Sequence, residues 1–220
     1  TSRWLMNQEN PIQSFTVFLP HTDVRRHIQA TLARKKSMSS KNGELAPDVT
    51  FHAPYFSTIS QSEKGHFWFE SRNKIIADAF GRYVKPHARI LEIGAGTCFV
   101  ASSLQHLGYY VTVSDVHEDI FAFAKQCGIG RAHCFDLMNR PPVRERFDAI
   151  GLFDVIEHLT DDLLAMHNAV AMLQPKGKVV LTVPAHPWLW SRSDELACHQ
   201  RRYTLHSLKT LATHTGLRVE

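Results

Sequence analysis

Residues Ile90 to Phe99 read ILEIGAGTCF: an apolar run, an acid at Glu92, then Gly94-Ala95-Gly96 leading into a further hydrophobic stretch. The apolar run reads as a buried strand, and two glycines at its end let the backbone turn tightly and approach a ligand with no Cβ in the way. Glycines after a strand also serve as a plain turn, so the segment by itself is weak. Two acids downstream change its weight. Asp115 closes the next β-rich run, 21 residues beyond Gly94, and Asp136 closes the one after that. A single acid at a strand end is often a helix cap. Three of them, Glu92, Asp115 and Asp136, form a line along the carboxyl edge of a sheet, where open α/β folds bind ligands.

The text around this stretch supports such a sheet. Short β-rich runs at Arg89 to Ile93, Tyr110 to Ser114, Ala132 to Phe135, Phe147 to Phe153 and Gly177 to Val183 alternate with helical stretches near Thr97 to Leu107, His117 to Cys127, Leu163 to Leu173 and Leu205 to Thr215. Alternation of this kind predicts an α/β fold, doubly wound, with a mostly parallel sheet and helices on both faces. Upstream, a dense aromatic and aliphatic helix runs from Phe67 to about Val84 and stops at Pro86. Residues 1–62 read as an irregular N-terminal extension, broken by Pro11, Pro20, Pro47 and Pro54. Within it, Asp23 to Lys36 is the one stretch with helical rhythm, Val24, Ile28 and Leu32 recurring at spacing four. Residues 63–220 form the ligand-binding domain.

Composition narrows the class. A 220-residue chain with 44% hydrophobic and 21% charged residues can bury a core without disulfides or a structural metal. Its four cysteines, Cys98, Cys127, Cys134 and Cys198, include no CxxC pair, so no metal site is expected and a reducing, cytoplasmic compartment is. No run is long and apolar enough for a membrane span. A net charge of +4 with scattered Lys and Arg gives no case for nucleic acid.

The acids also discriminate among ligands. A dinucleotide site wants a third small residue three positions after Gly96 so that a helix N-terminus can receive a pyrophosphate, and that position is Phe99. Glu92 would repel a pyrophosphate. A ligand with an ammonium group and a sulfonium suits acids, and S-adenosylmethionine carries both. Asp115 lies where a carboxylate reaches a ribose diol, and Asp136 is placed to accept from an exocyclic amine while Leu137 packs on adenine.

LEIGAGTC, the strand-end Asp115, CFDL around Asp136 and LFDVIEHLTDD at the fourth strand resemble the class I S-adenosylmethionine-dependent methyltransferases, over about Gly65 to Glu220. The DVIEH segment resembles the small-molecule branch that includes the ubiquinone-biosynthesis O-methyltransferases. The resemblance implies a Rossmann-like sheet and methyl transfer to a small-molecule acceptor, with O-methylation as one form of it. It implies that Glu92, Gly94 and Gly96 line the methionine portion, that Asp115 holds the ribose and Val116 flanks the adenine. It further implies that Asp136 and Leu137 recognise adenine, and that Phe153 and Asp154 close the site. HFWFESRN, His66 to Asn73, resembles the helix that covers the cofactor in related enzymes, with Arg72 a candidate for the methionine carboxylate. The family sheet normally adds a sixth strand and an antiparallel seventh beside the fifth. Here the text reaches only Leu217 to Glu220, so those strands are expected to be truncated or missing, and Thr1 in place of Met suggests a fragment.

Val183 to Thr204, VPAHPWLWSRSDELACHQRRYT, reads as an acceptor-binding loop, in which Arg201 and Arg202 would favour an anionic acceptor. For proton removal from a hydroxyl, His158 is the first base candidate, with His199 and Tyr203 behind it; His158 equally suits a helix cap, and no metal spacing singles it out. Two other classes stay open: a non-catalytic methyltransferase-like binding module, and an NAD-dependent oxidoreductase, which Phe99 and Glu92 disfavour.

Overall fold

A computed structural model of the chain describes Gln13–Phe18, Glu63 and residues 65–220. The helix expected over Asp23 to Lys36 lies outside them. Strands β1 (Gln13–Phe18), β2 (Arg89–Ile93), β3 (Tyr110–Asp115), β4 (Ala132–Cys134), β5 (Phe147–Phe153), β6 (Leu173–Thr182) and β7 (Leu217–Val219) form one sheet in the order β4-β3-β2-β5-β6-β1-β7. Every recorded pairing is parallel. Helices α1 (Phe67–Tyr83), α2 (Phe99–His106), α3 (Ile120–Gln126), α4 (Asp162–Ala171), α5 (Arg192–Leu196) and α6 (Leu205–His214) connect or flank the strands. None of the described helices is long and apolar enough to cross a membrane.

Side-chain alternation along the strands builds a core on each face. Leu91, Ile150, Leu152, Val179 and Leu181 pack with Met166 of α4 and Leu208 of α6, while Ile90, Val113, Ala149 and Val180 pack with Phe80 of α1, Leu104 of α2 and Ala124 of α3. A register irregularity between Phe147 and Ala149 puts Phe147 on the same face as Ile150, against the period of two.

The expected strands and helices are present with small shifts, and two differences matter. First, the N-terminal extension supplies a strand. Ser14-Phe15-Thr16-Val17 alternates polar and apolar residues and Phe18 extends the β-rich run between Pro11 and Pro20, a short signal that the prolines obscure. β1 pairs with β6 from Ser14↔Lys178 to Phe18↔Thr182 and with β7 from Gln13↔Leu217 to Phe15↔Val219, so β6 is not left as an unpaired edge. The slot in which the family places its antiparallel seventh strand thus holds a parallel one, and the strand after α6 is three residues long. Second, β6 begins at Leu173 rather than Gly177, because Leu173 pairs with Phe147 across the register irregularity.

Helix α1 is capped by the His66 ring, which accepts from the Trp68 amide at 3.3 Å, and it buries Asn73, Ile76, Ala79 and Phe80. Phe80 meets Tyr109 and Phe153 edge to face, with centroids 5.8 and 6.3 Å away. Phe80→Ala should therefore cost about 3–5 kcal/mol of stability in urea unfolding. A loss below about 1 kcal/mol, the range of a surface change, would mean that α1 does not depend on this contact.

Candidate functional site

At the carboxyl edge of the sheet the chain leaves β2 through a turn that only glycine fits well. Gly94 has φ 70°, and a Cβ there would lie 2.6 Å from Val155 Cγ2. The turn is tied to β3: the Ala95 amide donates to Ser114 O at 3.0 Å, and the Gly96 amide donates to Asp115 Oδ2 at 2.9 Å. The other Asp115 oxygen accepts from the His117 amide at 3.0 Å, so one nearly buried carboxylate stitches the glycine turn to the end of β3. Thr97 Oγ1 donates to Glu63 at 2.6 Å.

Beneath the turn lies a pocket of acids around one cation. Glu92 is buried, its Oε2 has no hydrogen-bond partner among the described residues, and burial pushes its carboxyl up to about 8, with Arg72 opposing the shift and Glu63 and Asp115 adding to it. Burial raises Glu63 as well, against the pull of the Thr97 hydrogen bond and Arg72. Arg72 Nη2 pairs with Asp154 Oδ2 at 2.7 Å, while its buried Nε lacks a partner among the described residues. Asp154 ends β5 in a left-handed conformation, φ 57°, and accepts from Thr182 Oγ1 at 2.8 Å.

The remaining expected donor-site residues occupy the same edge in different states. Asp136 closes the turn after β4, accepting from the Met138 amide at 2.8 Å and Asn139 Nδ2 at 3.2 Å. Leu137 is buried beside it and Val116 is exposed next to Asp115. The Phe153 ring folds over Gly151, where a Cβ would meet it at 2.7 Å, and packs on Phe80; its side chain belongs to the core.

The segment after β6 is a braced structure. Tyr203 and Ala185 form a bridge, with the His186 amide donating to Tyr203 O at 2.8 Å. Its hub is the buried Asp194, which accepts from Arg202 Nε at 2.6 Å and Nη2 at 2.9 Å, and from the Ser191 amide at 2.8 Å, with His199 Nδ1 3.0 Å away. The Arg202 and His199 hydrogen bonds outweigh burial and hold Asp194 down at about 2. Arg201 pairs with Asp162 at 3.1 Å and donates to Thr160 O at 2.8 Å. Both arginines expected to meet an anionic acceptor are thus engaged inside the protein. Tyr203, expected as a reserve base, is buried and donates to Asp162 Oδ2 at 2.7 Å; burial and that acid push its phenol well above the ordinary range, so its role here is structural. His158 and His199 do come together, ring centroids 4.8 Å apart and nearly perpendicular. Burial, then the neighbouring His199, hold His158 down at about 4. The reading of the sequence assigned no role to Glu63, Glu157, Asp162 or Asp194. Glu157 and Asp162 carry a signal as part of LFDVIEHLTDD, and Asp194 lies in the quoted segment from Val183 to Thr204.

A parallel sheet whose carboxyl edge bears a glycine turn and a row of acids is the binding edge of a nucleotide-type ligand. A family model described as a methyltransferase domain matches residues 65–220. Over 123 residues the chain is 30% identical to a ubiquinone biosynthesis O-methyltransferase of Bradyrhizobium diazoefficiens, covering 53% of this chain and 47% of the relative. The chain therefore spans about half the length of that curated relative. A TehB-like S-adenosylmethionine-dependent methyltransferase from Corynebacterium glutamicum superposes with a TM-score of 0.55 at 18% identity, over 74% of this chain and 84% of that one. The N-methyltransferase NodS from Bradyrhizobium japonicum, solved with S-adenosylhomocysteine, gives 0.53 at 17% identity over 72% and 84%. At such identities the likeness is one of fold. The chain belongs to the class I methyltransferase family, whose methyl donor is S-adenosylmethionine.

Two expectations follow from the turn and its acid. A side chain in the left-handed region costs about 1–2 kcal/mol, and at Gly94 it also meets Val155. Gly94→Ala should weaken S-adenosylhomocysteine binding by about tenfold or more in calorimetry; unchanged affinity would make the segment a turn only. Glu92 has a folded-state value near 8 against an ordinary 4.5, so its contribution to stability is full below 4.5 and lost as pH rises through 8. Glu92→Gln, which cannot ionise, should gain about 2 °C or more in Tm over the native chain at pH 8 and little at pH 5. A pH-independent difference would contradict the assigned burial of charge.

Proposed function

We propose that this chain moves a methyl group from S-adenosylmethionine to a small-molecule acceptor, with oxygen as the receiving atom. The observation that carries the donor half is Glu92, a buried carboxylate with one oxygen lacking a partner among the described residues, under a turn with no side chain in the way. A ligand bringing an ammonium group and a sulfonium supplies what this acid lacks.

The residues present fit that group. Glu92, Gly94 and Gly96 would line its methionine portion, and Arg72 would hold its carboxylate, its Nε being without a partner among the described residues. Asp115 would accept from the ribose hydroxyls through lone pairs that the Gly96 and His117 amides leave free, with Val116 beside the adenine. Asp136 would take the exocyclic amine, Leu137 would pack on the ring, and Asp154 would border the methionine end.

When bound, the donor supplies a methyl group made electrophilic by the sulfonium charge, which transfer neutralises. This chain's part is to align the acceptor, exclude water and handle the acceptor's proton. We assign the last to the His158–His199 pair, whose rings meet with centroids 4.8 Å apart. Oxygen as the acceptor atom is supported by the name of the curated relative and by the DVIEH resemblance. Exposed Trp188 and Trp190 on the segment after β6 offer indole faces that suit an aromatic or apolar molecule, whereas an anionic one has lost Arg201 and Arg202. Four free thiols suit a reducing, cytoplasmic setting.

Calorimetry with S-adenosylmethionine, S-adenosylhomocysteine and NADH tests the donor, and a screen of hydroxylated small molecules tests transfer. The expected result is stoichiometric binding of the first two and a methylated product. Binding of NADH in their place would overturn the donor assignment, and donor binding without turnover on any acceptor would favour a non-catalytic module. Asp115→Ala should weaken donor binding by about 1.5–3 kcal/mol, since a diol loses a charged acceptor. Unchanged affinity in a folded variant would remove Asp115 from the site.

A further inference from the structure

Opposite the donor site, the amino edge of the sheet gathers positive charge. Arg82 lies in the last turn of α1 and Lys85 follows that helix, Arg89 opens β2, Arg131 stands just before β4, and Arg144 and Arg146 stand just before β5; all six are exposed. Two acids lie among them. Lys85 pairs with Asp148 at 2.9 Å and Arg131 with Glu145 at 2.8 Å, while Arg82, Arg89, Arg144 and Arg146 have no ion pair among the described residues. The chain holds 25 Lys and Arg against 21 Asp and Glu, so setting aside these six bases and two acids leaves 19 of each. This group therefore carries a charge equal to the whole formal net charge of +4.

Complementing helix ends does not account for the pattern. Arg82 lies where a cation suits the carbonyl end of α1, but Lys85, Arg89, Arg131, Arg144 and Arg146 lie outside the helices. Short contacts tie the charges into one surface. The Arg89 amide donates to Asp148 Oδ2 at 2.9 Å, which sets the start of β2 against the Lys85–Asp148 pair, and Arg131 reaches the segment before β5 through Glu145. Apolar groups stand in the same surface: Tyr110, the cross-strand neighbour of Arg89, is 66% exposed, and Leu107, three residues before it, is 57% exposed.

We propose that this edge is a docking surface for an acidic face of another protein. The composition selects that partner. Five of the six bases are arginine and an exposed tyrosine stands beside them, and protein interfaces are enriched in Arg and Tyr and depleted in Lys. A guanidinium fork takes a carboxylate through two parallel hydrogen bonds, and the exposed ring supplies an apolar anchor. Glu145 and Asp148 interrupt the positive surface, so a continuous row of phosphates, as on a nucleic acid or a lipid bilayer, meets two like charges there. A protein face can set bases of its own against them. A partner held at the amino edge leaves the glycine turn and the acids of the carboxyl edge uncovered, so docking and ligand binding can occur together. The surface stands whether or not the chain transfers methyl groups.

The full chain is titrated into labelled poly-L-glutamate of about 20 residues, read by fluorescence anisotropy at about 0.02 M and about 0.5 M salt, and in parallel into a labelled DNA duplex and phosphatidylglycerol vesicles. The expected result is saturable binding of poly-L-glutamate at low salt, tighter than that of either other probe. Arg144→Glu combined with Arg146→Glu should weaken it about tenfold or more. Lys74→Glu combined with Arg192→Glu makes the same change of charge at two exposed positions away from this edge and should alter the affinity by less than about threefold. Melting curves check that both variants are folded. Hydrogen exchange with the peptide bound should show protection over residues 85–89, 107–110 and 144–148. Equal weakening in the two variants would reduce the attraction to net charge and overturn the surface, as would protection confined to other segments or the absence of saturable binding. Tighter binding of the DNA or the vesicles overturns the protein partner.

Discussion

Carboxylates buried at the tips of parallel strands are tolerable only where positive charge comes to them, and here that task falls largely on Arg72. Its guanidinium pairs with Asp154 and pulls on Glu63, Glu92 and Glu157 together. Arg72 is set there by α1, which Ile76 and Phe80 anchor in the core on one face of the sheet. Apolar packing on one face of a helix thus fixes an electrostatic arrangement on another. Burial is what makes the arrangement reactive toward a ligand: one guanidinium cannot satisfy four acids, so the pocket retains an unmet demand for cations.

The parts of the fold that were legible in the sequence are those in which local pattern and tertiary role agree. β2 and β5 were read with their observed ends because their residues are apolar on both faces and their exits are marked by Gly94 and Asp154. β1 was not read, since its hexapeptide is short and stands alone among prolines and its partners, β6 and β7, lie more than 150 residues away. The glycine turn and the acids at the strand ends were legible for a similar reason: such residues keep fixed offsets along the chain. The opposite holds for the segment after β6. Its arginines and tyrosine look like ligand-binding groups by type, and only the fold shows that Asp162 and Asp194 claim them first.

That claim changes what the segment does. Asp194, with Arg202 on both oxygens and Ser191 capping α5, is a rigid post rather than part of a reactive surface. Rigidity here has a use. His199 hangs from the same carboxylate and so meets His158 at a set distance, while Tyr203 pins the other end of the segment to the start of α4 through Asp162. Arg202, expected to meet an acceptor, instead holds the carboxylate on which His199 rests.

The two halves of the edge are also joined by charge. A ligand carboxylate that takes Arg72 competes with Asp154 for the same guanidinium, and any contact it gains loosens the pair that now lies at 2.7 Å. Asp154 raises the cost of ionising Glu157, whereas Arg72 lowers it. Drawing Arg72 toward a ligand therefore leaves more uncompensated negative charge around Glu157, which favours its protonated form. By linkage the converse holds: a proton on Glu157 removes one of the charges that hold Arg72 in place and eases its movement toward a ligand carboxylate. A single arginine shared between Asp154 and Glu157 therefore couples the charge states of the two acids.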